Sequence, residues 1–369
     1  MNTDFSATAV KGRAMVAMSG GVDSAVAALL MKQAGYDVTG VTMRLYRDGD
    51  AIPTENGADT MPDADTPDIA DARRVAERLG IGYAVCHLEH DFCRLVIDPF
   101  VEAYAAGKTP NPCVICNKKL KFGAFLRWAL EHDLPTVATG HYARISRDDN
   151  GRYAVRKAVD LSKDQTYMFW SLTQDVLSHV RLPLGELKKS EVRQIAADHA
   201  FVNARKHDSQ DICFIPGGDY AAFIGRYAGV PDVPGNFIDT NGNILGRHRG
   251  MIHYTIGQRK GLGIALGEPM YVSAKDAATG NVTLCRNEEL FHRTLTAHDA
   301  NWLPFDRLDA PLRVEAKIRY QHTVAAATVR QTGEGTLLVE FDEPQRAIAS
   351  GQSVVFYDGD FLLGGGVID

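Results

Sequence analysis

Two hydrophobic periods alternate along the first 140 residues. Short apolar runs predict buried strands, and each run is followed by a stretch with helical spacing. The predicted strands are residues 13–18, 37–46, 83–88 and 136–139; the predicted helices are residues 22–34, 68–79, 91–106 and one that begins between 113 and 117 and ends at 132. Strands that alternate with helices in this way predict an α/β fold with a doubly wound parallel sheet.

The pattern changes twice further along the chain. Helices are predicted at 164–172, 174–180 and 190–199, after which Gly and Pro become frequent and helical spacing is lost. From Leu312 to Tyr320 apolar and charged residues alternate, which is the period of a half-buried strand, and four more strands follow at 325–330, 336–341, 353–357 and 361–367. We therefore predict three domains: an α/β domain at 1–216, a small, mostly β domain at 217–288 and a C-terminal β-barrel at 289–369.

The charge of the chain is unevenly distributed. The 369 residues carry a formal charge of −6, but eight acidic residues and no Lys or Arg lie between 48 and 71. Without that segment the charge would be +2, which leaves room for a basic face that binds nucleic acid. Residues 47–67 have no apolar period and predict a mobile surface loop.

Export and membrane insertion are not expected. Residues 1–12 predict a loose leader without an apolar signal core, and no apolar run has the roughly 18–20 residues of a membrane span. We expect a cytoplasmic protein with no membrane partner.

The first chemical signal lies between the first strand and the first helix, at Ser19–Ser24. Glycines allow a tight turn and a close approach to a ligand, and the helix N-terminus offers N–H groups to an anion. The Walker type of phosphate loop has a lysine directly after its glycines, and none stands here. The stretch predicts a phosphate cradle of another kind; the structural alternative is an ordinary glycine turn.

The second signal is the stretch Thr109–Phe122, which contains Cys113 and Cys116. Cys116 is predicted in or just before the first turn of a helix, where the helix dipole and the nearby lysines should favour the thiolate. The alternatives are half of a structural zinc site and two inert core cysteines. Cys86, Cys93 and Cys285 lie in apolar patterns and predict core positions.

A third cysteine, Cys213, lies in the polar segment Lys206–Phe214. Paired with Cys116 it gains significance, because two thiols can pass on a sulfur atom and then form a disulfide. Two basic stretches, Arg247–Arg249 and Arg259–Lys260, with Tyr254 between them, suggest a further RNA surface; an ordinary solvated face is the alternative.

Together these motifs resemble the tRNA-specific 2-thiouridylase family of the PP-loop ATP pyrophosphatase superfamily. The matching segments spread over nearly the whole chain: Ser19–Ser24, Thr109–Phe122, Thr139–Arg144, Lys163–Tyr167, Asp208–Phe214, Tyr254–Gly263, Arg319–Tyr320 and Gly351–Gln352. The resemblance implies an adenine nucleotide α-hydrolase-like PP-loop domain. It also implies ATP-dependent replacement of O2 by sulfur on the wobble uridine of tRNA, giving 2-thiouridine, AMP and pyrophosphate.

The resemblance also implies roles for individual residues. Cys116 would be the nucleophile and Cys213 the persulfide carrier, with a transient Cys116–Cys213 disulfide. ATP contacts are implied for Ala17, Met18, Ser19, Gly20, Gly21, Val22, Asp23, Ser24, Met43 and Gly140; contacts with the target base for Asn111, Pro112 and Cys113; and tRNA contacts for His141, Lys163, Asp164, Gln165, Arg319, Tyr320 and Gln352. The implied partners are the anticodon region of tRNA and a sulfur-relay protein or cysteine desulfurase, and Mg²⁺ is expected with ATP.

One position departs from the family. Some members carry an aspartate, to which an acid–base role has been assigned, where this chain has Cys113. Three thiols at Cys113, Cys116 and Cys213 would suit a [4Fe–4S] cluster with one open iron, so we retain the cluster as an alternative to a persulfide relay.

Two other classes of protein remain as alternatives. A PP-loop amide or argininosuccinate-type ligase also adenylates a substrate, but it needs no pair of cysteines. A tRNA-binding or sulfur-carrier protein with a vestigial ATP loop would release no AMP.

Overall fold

A computed structural model describes residues 11–46, 66–204, 206, 212–215, 217–229 and 232–369. Most of the predicted leader at 1–12 and of the predicted acidic loop at 47–67 lies outside these residues. The chain divides into two compact units: Met1–Cys93 with Asn117–Gln210, and Arg94–Cys116 with Asp211–Asp369. No helix in the described ranges is long and apolar enough to cross a membrane.

The helices and strands have the following bounds. The α-helices are α1 Val22–Gln33, α2 Pro67–Leu79, α3 Glu89–Phe92, α4 Asp98–Ala105, α5 Pro112–Ile115, α6 Phe125–Glu131, α7 Gln174–His179, α8 Lys189–Asp198 and α9 Tyr220–Ala228; π-helical stretches run over Cys93–Ile97 and Cys116–Ala124. The strands are β1 Arg13–Ala17, β2 Asp37–Arg44, β3 Gly82–His87, β4 Thr136–Ala138, β5 Arg144–Arg147, β6 Tyr153–Arg156, β7 Val180–Arg181, β8 Gly235–Ile238, β9 Ile244–His248, β10 Tyr271–Asp276, β11 Asn281–Cys285, β12 Phe291–Trp302, β13 Leu312–Lys317, β14 Ala325–Gly333, β15 Thr336–Arg346, β16 Ser353–Asp358 and β17 Phe361–Ile368.

A five-stranded parallel sheet forms the centre of the first unit. Its order is β3-β2-β1-β4-β7, and Val16 of β1 lies between Gly40 of β2 and Ala138 of β4. β1 is buried because it is the middle strand, with Ala14 and Val16 fully inaccessible. The order reverses between β1 and β4, and ligands of such sheets bind beyond the strand ends at that point. The predicted doubly wound parallel sheet is confirmed.

Helix α1 is more deeply buried than predicted. The sequence pattern gave it one apolar side with Val26, Leu29 and Leu30, but the structure buries eight of its twelve residues. The cause is that α1 contacts β1 and also the two helices α2 and α8. Small residues such as Ala25 and Ala28 permit this close packing, and they gave no periodic signal in the sequence.

The segment after β4 differs from its predicted form. β5 and β6 pair as an antiparallel hairpin that the sequence analysis missed. The predicted helix at 164–172 is wrong: only Thr166–Met168 forms one turn of 3₁₀-helix. Most side chains of this stretch, including Tyr167, Phe169 and Trp170, are buried, so its apolar residues reflect core packing without regular structure.

The second unit contains two β structures. A four-stranded sheet has the order β10-β11-β8-β9, and six strands in the order β12-β15-β14-β13-β16-β17 close into a barrel through pairing of β12 with β17. The predicted middle domain and C-terminal barrel are confirmed as fold class, although β12 was missed and α9 precedes the small sheet. The domain boundaries at 216/217 and 288/289 stay predictions.

Closure of the barrel depends on Gly364. Its backbone lies between Trp302 of β12 and Phe356 of β16, and its φ of 153° suits glycine. A Cβ added at this position would overlap the carbonyl oxygen of Asn301 on β12. We therefore expect Gly364→Ala to lower the unfolding free energy by about 3 kcal/mol, since backbone strain and overlap add.

Gly359→Ala is the matched control for Gly364→Ala. Gly359 has a φ of 53° in the β16–β17 turn, and an added Cβ would meet no neighbouring atom. Gly359→Ala should lower the unfolding free energy by about 1 kcal/mol, from backbone strain alone. Calorimetric melting curves compare the two variants; equal losses would contradict the importance of Gly364 for closure.

Candidate active site

The loop Ser19–Ser24 connects β1 to α1 at the reversal point of the parallel sheet. Gly20 has a φ of 73°, and a Cβ added to it would lie 2.5 Å from the carbonyl oxygen of Asp68. Gly21 caps α1 in an extended conformation, and no side chain of the described residues makes a capping hydrogen bond there. Ser24 stabilises the turn: its hydroxyl donates to Gly21 O at 3.0 Å and accepts from Ser19 N at 3.2 Å. The glycine positions are thus set by steric limits, and the end of α1 is left available to an anion.

Asn203 supports this loop, and the sequence analysis did not identify it. Its side-chain amide donates to the carbonyl oxygens of Gly20 and Gly21, each at 3.1 Å. Asn203 is buried, so these hydrogen bonds are shielded from water. They engage the carbonyl oxygens of both loop glycines.

Lys206 is the second residue that the sequence analysis missed. Its ammonium donates to Gly20 O at 3.3 Å and pairs with Asp68 at 2.6 Å and Asp71 at 2.9 Å. The charge of Lys206 is thereby engaged by two aspartates of α2, of which Asp68 lies in the first turn of that helix. No motif spacing relates these three residues, so only the fold could show the contact.

Asp23 lies inside the loop and is held by two buried partners. Lys189 at the start of α8 donates to both carboxylate oxygens at 2.8 Å, and the hydroxyl of Tyr142 donates to Oδ1 at 2.8 Å. The Lys189 side chain is 11% exposed and that of Asp23 30%. A lysine with so little exposure requires a partner, and Asp23 supplies one.

The end of β4 approaches the loop closely. A Cβ added to Gly140 would lie 2.8 Å from the carbonyl carbon of Asp23 and 2.9 Å from Ser24 N. Only a glycine lets the backbones meet at this distance. The structure therefore brings together Gly140 and the Ser19–Ser24 loop, for both of which the resemblance implies ATP contacts. Met43, also an expected ATP contact, is half-buried near the end of β2.

His141 follows Gly140 and is surrounded by polar and aromatic partners. Its Nδ1 lies 2.7 Å from Thr139 Oγ1 and its Nε2 lies 3.4 Å from Lys121 Nζ. Its ring packs against Phe122 and Phe169 at centroid distances of 6.2 and 5.3 Å. Burial, and then the charge of Lys121, hold the pKa of His141 well below its usual value. His141 is thus a neutral imidazole, and Nε2 accepts from the lysine.

The expected tRNA contacts at Lys163–Gln165 also have structural partners. Asp164 accepts from Ala158 N at 2.9 Å and from Thr166 Oγ1 at 2.6 Å. Gln165 accepts from Tyr142 N at 2.8 Å. These hydrogen bonds fix the turn that contains Asp164 and Gln165. Both residues therefore have a structural role in addition to the expected tRNA contact.

The segment with Cys113 and Cys116 is anchored by Asn111. The carboxamide oxygen of Asn111 accepts from Cys113 N at 3.1 Å and from Val114 N at 3.3 Å, which makes it the N-cap of α5. Pro112 occupies the first position of this helix and is buried. Cys116 is the fifth residue of the helical run and so lies one turn beyond the place where the helix dipole acts most strongly. The lowered pKa of Cys116 stays a prediction.

Cys213 is exposed, whereas its neighbour Phe214 is buried. Phe214 packs edge-on against Phe100 of α4 at 5.5 Å and against Phe223 of α9 at 5.1 Å. This aromatic cluster anchors the chain directly beside an accessible thiol. The predicted core positions of Cys86 and Cys285 are confirmed, whereas Cys93 is only half-buried. Burial raises the pKa of Cys86 to about 12.

The three thiols Cys113, Cys116 and Cys213 are not assembled into a metal site. In the described part of the chain no three His, Cys, Asp or Glu side chains are grouped so that they could hold a metal ion. The donor set for an iron–sulfur cluster is therefore not preformed in this conformation.

Residues of the C-terminal barrel also carry expected tRNA contacts. Arg319 and Tyr320 are half-buried, and Arg319 donates to Arg346 O at 3.4 Å. Gln352 donates from Nε2 to Thr109 O at 2.9 Å. In the small sheet, the expected RNA-facing Tyr254 is 3% exposed and packs on Phe237. The prediction of a surface position for Tyr254 is wrong, because its ring packs in the apolar core of that sheet.

Three family models match the chain. The model described as the tRNA methyl transferase HUP domain matches residues 12–217, the tRNA methyl transferase PRC-barrel domain matches 221–286, and the aminomethyltransferase beta-barrel domain matches 292–368. A tRNA-specific 2-thiouridylase MnmA of Clostridioides difficile is 47% identical over 97% of this chain and 98% of its own. A protein of the same name from Lachnoclostridium phytofermentans is 48% identical over 96% of this chain and 99% of its own.

The chain belongs to the tRNA-specific 2-thiouridylase family. The resemblance found in the sequence is confirmed, and so is the assignment to an enzyme class, tRNA sulfurtransferase. A solved 4-thiouridine synthetase–RNA complex with bound ATP matches 56% of this chain and 47% of its own at 16% identity, with a TM-score of 0.36.

The neutral state of His141 gives a testable pH dependence. Unfolded chains take up a proton near the ordinary pKa of 6.5, but folded His141 does so only at much lower pH. Stability should therefore fall as the pH drops below 6.5, since the unfolded state binds the extra proton. NMR of labelled imidazoles should show His141 neutral at pH 6, with its resonance assigned from His141→Gln.

Lys121→Met tests the second cause of the lowered pKa. It should raise the pKa of His141, although not to 6.5, because burial remains. Lys118→Met, which removes an exposed lysine from the same helical stretch, should leave the titration unchanged. Ordinary titration of wild-type His141 near pH 6.5 would contradict the account.

Proposed function

We propose that the chain catalyses ATP-dependent 2-thiolation of the wobble uridine of tRNA. The observation that carries the proposal is the Ser19–Ser24 loop at the reversal point of a parallel sheet, in a chain of the 2-thiouridylase family. The oxygen at C2 of uracil is a poor leaving group. Transfer of AMP from ATP to that oxygen makes it a good one and releases pyrophosphate.

The loop residues bind and orient the triphosphate in this proposal. The N–H groups at the start of α1 and the exposed Ser19 hydroxyl meet phosphate oxygens, while Asn203 engages the carbonyl oxygens of Gly20 and Gly21. Met43 and Gly140 border the nucleotide. Mg²⁺ accompanies ATP and neutralises phosphate charge; such an ion keeps several waters and needs only one or two carboxylates from a protein.

In this proposal Cys213 and Cys116 carry out the sulfur transfer. A sulfur-relay protein or cysteine desulfurase loads the exposed Cys213 with a persulfide. The Cys116 thiolate then attacks Sγ of Cys213, a Cys116–Cys213 disulfide forms, and hydrosulfide leaves. Hydrosulfide attacks C2 of the uridine and expels AMP, and a two-electron thiol reductant later reopens the disulfide.

The target base must leave the anticodon stack to be reached. Extrusion costs a few kcal/mol and is cheapest in a single-stranded loop. Asn111, Pro112 and Cys113 border the base in this proposal. The tRNA is held by His141, Lys163, Asp164, Gln165, Arg319 and Tyr320, and the reaction takes place in the cytoplasm.

Cysteine variants test the sulfur pathway. Unmodified tRNA is incubated with ATP, Mg²⁺ and a persulfide donor, and 2-thiouridine and AMP are quantified by mass spectrometry. Cys116→Ser and Cys213→Ser should each lower 2-thiouridine at least a hundredfold, whereas Cys285→Ala, which alters a buried thiol, should retain most activity. Full 2-thiouridine formation by both serine variants would contradict the relay. AMP release by wild type and both variants without any 2-thiouridine would favour a ligase, and absence of AMP with wild type would favour a binding protein.

Cys113 distinguishes the relay from an iron–sulfur cluster. The relay uses two thiols, so Cys113→Ser should keep activity within about fivefold of wild type, an effect near 1 kcal/mol. Cys113→Asp, which installs the carboxylate found in some relatives, is the companion variant. Loss of activity in Cys113→Ser together with about four irons per anaerobically purified chain would overturn the relay.

A further inference from the structure

The short segment Gly107–Asn111 leads into the helix that carries Cys113 and Cys116, and distant parts of the chain hold it. Thr109 N donates to Ser350 O at 2.8 Å, and Gln352 Nε2 donates to Thr109 O at 2.9 Å. Both backbone polar groups of Thr109 are therefore bonded to the turn before β16. Thr109 is 9% exposed, so water competes little for these bonds.

The residue between Ser350 and Gln352 adds a steric requirement. Gly351 has a φ of 86°, and a Cβ added to it would lie 3.2 Å from Lys108 Cβ and 3.3 Å from the Thr109 backbone. Its own N–H donates to Ile368 O at 2.9 Å, which fixes the turn to the last strand of the barrel. The barrel turn thus meets the segment at backbone distance.

A third contact comes from the small sheet. Lys275 of β10 donates to Lys108 O at 3.4 Å, and its ammonium lies 5.4 Å from the ring centre of Tyr104. A Cβ added to Gly107 would lie 3.3 Å from Lys275 O. Residues 107–109 are consequently restrained from two sides.

The chain between Thr109 and Cys113 is stiff. Pro110 and Pro112 fix their own φ angles and restrict the residues before them. Asn111 then binds Cys113 N and Val114 N through its side chain. Because this segment is stiff, a displacement of Thr109 also displaces the helix that carries the thiols.

We propose that Gln352 is a positioning residue for the cysteine helix, which it holds in place through Thr109 O. The family resemblance implied a tRNA contact for Gln352, but its side-chain amide donates to Thr109 O of the protein itself. This role rests on the proposed thiolation reaction only where turnover is concerned. The position of the thiols in the free protein can be tested without any reaction.

Gln352→Ala and the isosteric Gln352→Glu both remove the N–H donor, and Arg319→Ala serves as the comparison at another expected tRNA contact. Each protein is labelled with iodoacetamide in the absence of tRNA and ATP, and the rates at Cys113, Cys116 and Cys213 are read by mass spectrometry. Both Gln352 variants should change the rates at Cys113 and Cys116 at least threefold. The rate at Cys213, the internal reference, should change less than 1.5-fold, and Arg319→Ala should change none of them.

Turnover supplies the second readout. Gln352→Ala should lower kcat for 2-thiouridine at least tenfold at saturating tRNA, with less than a twofold change in the Kd of tRNA. Misplacement of a reacting group by about 1 Å has such an effect. A tenfold rise in Kd with unchanged kcat and unchanged labelling would overturn the proposal in favour of a direct tRNA contact.

Gly351→Ala disturbs the same contact without altering the Gln352 side chain. It should reproduce the labelling change, whereas Gly242→Ala, with a φ of 87° and open space around it, should not. An equal increase in the labelling rates of all three cysteines would show that the protein structure is loosened as a whole. That result would overturn a specific positioning role for Gln352. If wild type forms no 2-thiouridine, the thiolation proposal fails, while the labelling result still decides the role of Gln352.

Discussion

The left-handed backbone at Gly20 is the constraint on which the Ser19–Ser24 loop depends. No side chain fits there, since the first turn of α2 occupies the space. Asn203 and Lys206 fix the carbonyl of Gly20 from one side. The result is a loop whose N–H groups remain available at the start of α1, the arrangement that a phosphate requires.

The segment that carries Cys113 and Cys116 follows a similar principle. A short, stiff segment with two prolines is held by backbone and amide bonds, and an asparagine cap starts the helix with the thiols. In both places a buried residue helps to position the site: Asn203 at the loop, and Pro112 at the helix with the thiols. Precision at these sites therefore comes from residues that need not touch the substrate.

The sequence predicted the parallel sheet because its apolar runs alternate with helical spacing, and the barrel because Leu312–Tyr320 has a strict period of two. It failed where packing outweighs periodicity, as in the irregular buried stretch at 164–172 and the buried ring of Tyr254. Asn203, Lys206, Tyr142 and Lys189 escaped notice because each acts on a loop more than a hundred positions away. The loop glycines and the cysteines were found from motifs, but the contacts that position them needed the fold.

The most direct test of the central claim follows one oxygen atom. A tRNA anticodon stem-loop labelled with ¹⁸O at O2 of the wobble uridine is incubated with the protein, Mg-ATP and a persulfide donor. If the uridine oxygen is adenylated, the released AMP carries one ¹⁸O for each 2-thiouridine formed. Unlabelled AMP, with 2-thiouridine present, would contradict adenylation of the base.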